Sequence, residues 1–316
     1  MIRLKTRAGH GFPRMPPGGG ALARLWPPRP PAVHERRLHA ARHLHGGAAV
    51  LALAVLGDSG IEHYRGSFRN KAMVTPLLTA SVSLLSALHG LADQRPLPHR
   101  LRNAVHGLAA LTGLIGTGFH VYNVLKRPGR LSFENLFYGA PLGAPAAMLL
   151  SGAVGLAAEQ VREQPLDRLE SLGLERREPL GDRELGQGIA ALVAAGLLGT
   201  TAEAALLHFR GNFQNRAMYL PVLLPPAVAG LLGRAAARPD APHARQRARG
   251  ASWLAVMLGL AGAGFHIRGV SRHMGGWRNW SQNLLDGPPI PAPPSFTGLG
   301  LAALAALALM GGPDRG

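Results

Sequence analysis

Apolar and polar positions along this chain separate into long blocks rather than alternating residue by residue. Eight stretches rich in Ala, Leu, Gly and Val, at about 46–63, 73–92, 103–123, 139–157, 187–207, 217–234, 251–268 and 293–311, are divided by Arg- and Pro-rich segments. Each has about the length an α-helix needs to cross a hydrocarbon core about 30 Å thick at 1.5 Å per residue. The pattern predicts an all-α integral membrane protein with about eight transmembrane helices. Ala and Gly dominate the blocks, which suits close helix–helix contact in lipid, where small residues let backbones approach. The first block is the least regular, because Asp58 and Glu62 interrupt it.

The polar segments between blocks repeat. Residues 63–73 read HYRGSFRNKAM and residues 208–218 read HFRGNFQNRAM, identical at seven of eleven positions. GLIGTGFH at 113–120 and GLAGAGFH at 259–266 agree at six of eight. Asn135-Leu136 with Ala144-Pro145 matches Asn283-Leu284 with Ala292-Pro293. The offsets are 145, 146 and 148 residues, so one unit of roughly 140 residues is written twice. The expected organisation is a basic, Pro/Arg-rich disordered tail over 1–45, a four-helix membrane repeat over 46–157, a linker over 158–186 and a second four-helix repeat over 187–311. Two repeats of equal topology are related by a pseudo-twofold axis along the membrane normal. Core positions tolerate exchange among apolar residues, so polar identity between the halves points to a shared site.

Charge refines the topology. The formal net charge of +17 would suggest nucleic acid in a soluble chain. Here the arginines gather in the tail and in the loops 93–102, 158–186 and 235–250, the positive-inside pattern for cytoplasmic segments. The reading is a multi-pass protein of the cell inner membrane with both termini cytoplasmic, partnered by the lipid bilayer and not by nucleic acid. Residues 1–45 lack a small-residue cleavage site after an apolar run, so they read as a tail rather than a cleaved signal. The mean hydropathy, +0.09, is low for such a protein, and the tail and Arg-rich loops account for part of that. With no cysteine in the chain, disulfides, thiolate-held clusters and covalent haem attachment are excluded.

On this topology His63, His120, His208 and His266 all fall at the outer ends of their helices. Neutral imidazole is a common ligand of metals and haem iron. His63 with His120, and His208 with His266, are therefore candidate ligand pairs, with Arg65 and Arg210 placed to meet propionates. Asp58 and Glu203 align at the 145-residue offset and extend the set toward a His/carboxylate metal site. His106 and His120 lie fourteen residues apart, on one helix face and about 21 Å from each other. That separation resembles the spacing of paired axial histidines in membrane cytochromes b, with His89 as the expected partner of His106. The second half departs from it, carrying Arg234 and Ser252 where His89 and His106 would recur. Simpler roles are expected elsewhere: Asn70 and Asn215 as helix caps, Gly66 and Gly211 as turn formers, Met73 and Met218 as packing residues.

No nucleophile motif, phosphate loop or nucleotide fingerprint is present, so the chain is at most a subunit of a membrane oxidoreductase. The leading expectation is a redox subunit holding haem b or a His/carboxylate-bound metal. It would pass electrons between an extracytoplasmic partner and the quinone pool. The alternatives are a transporter or channel for a small anion or proton-coupled substrate, and a membrane anchor that docks a peripheral enzyme.

Overall fold

The computed structural model describes residues 32–95, 99–139, 141–162 and 180–311. The described residues are helical, without strands. Ten α-helices follow one another: α1 (Ala32–Arg65), α2 (Thr75–Ala92), α3 (Arg100–Leu125), the short α4 (Phe133–Tyr138) and α5 (Gly143–Arg162), then α6 (Asp182–Arg210), α7 (Leu220–Ala237), α8 (Pro242–Arg272), the short α9 (Trp280–Asp286) and α10 (Pro294–Met310). Seven of the helices are long and apolar enough to cross a membrane. The last expected block forms α10, an apolar helix of 17 residues that is almost wholly buried among its neighbours.

Solvation argues for lipid. The outward face of α3 presents Leu108, Leu111, Ile115, Phe119 and Tyr122, each more than half exposed. Their spacing of three and four residues makes one continuous apolar stripe on a helix. Water would not tolerate such a surface around the whole protein, whereas hydrocarbon would. The interior is the inverse, built largely from Ala, Gly and small polar side chains. The chain is a multi-pass helical membrane protein in architecture.

The helices pack in an order that occurs twice. In the first half α1 meets α2, α2 meets α3, α3 meets α5 and α5 returns to α1; α6, α7, α8 and α10 make the same circuit. Between the halves α1 packs on α10 and α5 on α6, the first much more extensively. The reason lies in two glycines. At the α1–α10 crossing a Cβ on Gly47 would stand 2.6 Å from the Gly298 carbonyl oxygen, and one on Gly298 would stand 2.8 Å from that of Gly47. At the repeat offsets the corresponding residues of α6 and α5 are Leu192 and Leu150, which have larger side chains.

α1 begins at Ala32, inside the segment expected to be a disordered tail over 1–45. Ala40, Ala41, Leu44 and His45 are buried, while Arg36 and Arg37 reach Asp182 at the start of α6, at 3.5 and 2.5 Å. The HERRLHAARHLH stretch hid this because its many charges made it read as a solvated tail. Residues 1–31 of that tail, and most of the linker expected over 158–186, lie outside the described residues.

Candidate functional site

The doubled motif folds into the same connector in both halves. α1 ends where the Phe68 N–H donates to the His63 carbonyl at 3.0 Å and the Ser67 N–H to the Tyr64 carbonyl at 2.8 Å. This pairing is a Schellman cap, and the second half repeats it with Phe213 on His208 at 3.1 Å and Asn212 on Phe209 at 2.9 Å. The left-handed residues are Ser67 and Phe68 (φ 56° and 46°) and Asn212 and Phe213 (56° and 43°). The expected turn formers, Gly66 and Gly211, are instead needed for room: a Cβ there would press on the Met73 and Met218 methyls at 3.1 and 3.2 Å. Asn70 and Asn215 cap the following turn as expected, each accepting from the N–H two residues on at 2.9 Å. Phe68 and Phe213 stand edge-on to the rings of His63 and His208.

Each motif histidine is held in one way. His63 Nδ1 bonds the Met73 carbonyl at 2.6 Å and His208 Nδ1 the Met218 carbonyl at 2.9 Å. His120 Nδ1 bonds the Pro141 carbonyl, and His266 Nδ1 the Pro289 carbonyl at 2.7 Å. A carbonyl oxygen can only accept, so Nδ1 carries the proton in all four rings and the neutral tautomer keeps its lone pair on Nε2. His63 lies within electrostatic reach of His120, and His208 of His266. These bonds also tie each helix end to the segment that follows it.

The neighbours expected to assist take varied positions. Arg65 pairs with Glu62 at 2.9 Å on the surface, and the Arg210 guanidinium lies 5.3 Å over the Phe137 ring. The difference follows from position 207 being leucine, which leaves Arg210 without the counterpart of Glu62. Asp58 lies within electrostatic reach of Glu62 and of Glu203 in the other half. Glu203 accepts the Gly143 N–H at the start of α5. The equivalent position for Asp58 is Pro291, which has no N–H to give. Among the described residues no three His, Asp or Glu side chains form a metal-holding group, so His63, His120, His208, His266, Asp58 and Glu203 do not assemble into a multi-ligand centre.

A second polar cluster lies toward the opposite end of the first half and was mostly missed in the sequence. Glu159 on α5 is fully buried and takes the Arg102 Nε donor, the His99 N–H at 2.6 Å and the His45 ring at 3.1 Å. Arg102 reaches on to Asp93 at 2.8 Å. Arg162 donates to the carbonyls of Arg95, Gly90 and Asp93 at 2.5, 2.7 and 3.1 Å. Bonding to Arg95 first, against the opposing effect of burial and with Arg102 adding to it, holds the Asp93 carboxyl well below the usual carboxylate range.

His89 and His106 belong to this cluster but take partners other than each other. His89 lies 3.5 Å from Arg102 and edge-on to His99. The His106 ring is 5.8 Å from that of His45, and its Nε2 is 3.5 Å from the Ser86 hydroxyl. A Cβ on Gly90 would sit 2.4 Å from the His45 ring, and one on Gly155 would sit 2.4 Å from the His106 ring. His106 is thus packed closely on α5, and it and His89 face different partners rather than each other. The apolar blocks stopped at 103, 157 and 46, one to five residues short of Arg102, Glu159, Arg162 and His45. The signal available was a charged residue continuing a helical register beyond a block's edge.

No protein-family model, curated protein or solved structure matches this chain. What it is must be argued from its own geometry.

Proposed function

We propose that the protein is an electron-transfer subunit of the cell inner membrane that holds haem b at its outer face. In this reading eight helices span the bilayer as two four-helix repeats related by a pseudo-twofold axis along the membrane normal, with both termini cytoplasmic. The observation that supports it is the uniform treatment of the four motif histidines. Each gives its Nδ1 proton to a backbone carbonyl, which fixes the tautomer, orients the ring and raises the basicity of Nε2. Two histidines suffice for a six-coordinate haem, so the lack of a three-residue metal group among the described residues does not count against this cofactor.

His63 with His120 would hold one haem and His208 with His266 the other; the bound haem supplies one-electron chemistry. Arg210, without a carboxylate bond, is the better placed cation for a propionate, and Arg65 would have to share itself with Glu62. Partners would be an extracytoplasmic redox protein and membrane quinone.

Two carboxylates on membrane helices, Asp58 and Glu203, within electrostatic reach of each other favour a second reading, a transporter for a small anion or proton-coupled substrate. One measurement separates the two. A reduced-minus-oxidised visible spectrum of the detergent-purified protein should show a Soret and an α-band, each weakened by His63→Ala, His120→Ala, His208→Ala or His266→Ala. A colourless protein that stays colourless on reconstitution with haem removes the redox reading and leaves transport.

A further inference from the structure

At the end of the bundle that carries the 235–250 loop, a cleft of about 460 Å³ opens between α1, α8 and α10. Its rim holds His43, Arg245 and Arg249, and its apolar part is Trp253 with Leu304 and Leu307. Among the described residues no acidic side chain lines it. The charged groups that bear on His43 are His39, Arg249 and Arg42, all of one sign. Below the rim α8 continues with Trp253, Met257 and Leu260, each about half exposed and spaced along one face. Basic side chains thus sit at one end of an exposed apolar face of α8.

The repeat shows that the cleft is not a by-product of the packing. At the repeat offsets Arg245, Arg249, Trp253 and His43 correspond to His99, Asn103, Gly107 and Gly188. The first half has neither the arginines nor the tryptophan at this place.

We propose that this cleft binds the headgroup of an anionic phospholipid. The arginines and His43 would meet the phosphate, and the acyl chains would follow Trp253, Met257 and Leu260. Arginine forks match phosphate oxygens in pairs, tryptophan favours the headgroup level, and basic clefts between membrane helices suit anionic lipid. A free phosphate would use the rim and leave the exposed apolar face of α8 unused, and that adjoining face is what favours a lipid.

The test uses the full chain purified in mild detergent, with retained lipid measured by native mass spectrometry after addition of phosphatidylglycerol or phosphatidylcholine. The wild type should retain phosphatidylglycerol preferentially, an arm that needs no variant. Each cation at an anionic membrane surface is worth about fivefold, so Arg245→Gln with Arg249→Gln should lower retention about twenty-five-fold. Arg238→Gln with Arg247→Gln removes equal charge outside the cleft and should change it by less than about twofold. Equal retention of both lipids by the wild type would overturn the proposal. So would equal losses from the two double variants, or displacement by glycerol phosphate at the same concentration as the lipid.

Discussion

Glu159→Leu tests why a membrane bundle buries so many charges in one half. Glu159 is fully buried, and the substitution takes away the acceptor for Arg102, for the His99 N–H and for the His45 ring. Arg102, itself 1% exposed, keeps Asp93 at 2.8 Å as its anionic partner, with His89 at 3.5 Å. Removing one partner of a buried ion pair costs about 3–5 kcal/mol. At the repeat offset the second half already has Leu307 in this place, and around it Ala190, Ala235, Ala248, Ser252, Ala303 and Met310, all buried. Those residues show what the same helix positions accept without charge. Installing the whole set should therefore recover the loss. It consists of His45→Ala, Gly90→Ala, Arg102→Ala, His106→Ser, Gly155→Ala, Glu159→Leu and Arg162→Met. Exchange of a buried ion cluster for packed apolar residues is neutral or stabilising by about 1–4 kcal/mol. Denaturant unfolding in mild detergent, followed by helical circular dichroism, measures both variants. The single variant should lose about 3–5 kcal/mol, and the sevenfold variant should lie near wild type or above it. A sevenfold variant as unstable as Glu159→Leu would refute the reasoning, since the fold would then require the cluster itself.

Smaller pieces of the same logic can be tested separately. Gly155→Ala forces a Cβ into the buried His106 ring and should cost about 1–3 kcal/mol; adding His106→Ser, which recreates the Ala303–Ser252 pair of the second half, should return most of it in a double-mutant cycle. Asn70→Ala and Asn215→Ala each remove one capping bond and should each cost about 1 kcal/mol in thermal or denaturant unfolding, with similar losses in the two halves. Because the Asp93 pKa is depressed in the folded state, its contribution is complete above the ordinary carboxylate value near 3.8 and is lost as pH falls below it. Asp93→Asn should flatten that part of the acid-unfolding profile, and an unchanged profile would mean the pair with Arg95 and Arg102 adds nothing.

The block pattern by itself determined that the chain is helical and built for lipid. Eight apolar stretches became seven long helices and α10, with boundaries displaced mainly where charge continues a helix, as at α1 and α8. Asn70 and Asn215 as caps were legible because capping is local chemistry of a side chain and the N–H two residues on. That His63 and His208, and likewise His120 and His266, take equivalent places was legible because each motif recurs at a constant offset. What the other motif residues do was decided by tertiary structure. Gly66 and Gly211 give room to a methionine methyl, a contact across the loop that no local rule encodes. His106 and His120 share a helix-period argument with a cytochrome, yet His106 meets His45 and Ser86, and its expected partner His89 meets Arg102 and His99. The buried cluster was invisible for a related reason. Its members are separated by up to more than a hundred residues, and a charge at the edge of an apolar block reads as a boundary until packing encloses it. Only the assembled helices show that one half of a repeated fold carries charge where the other carries alanine and leucine.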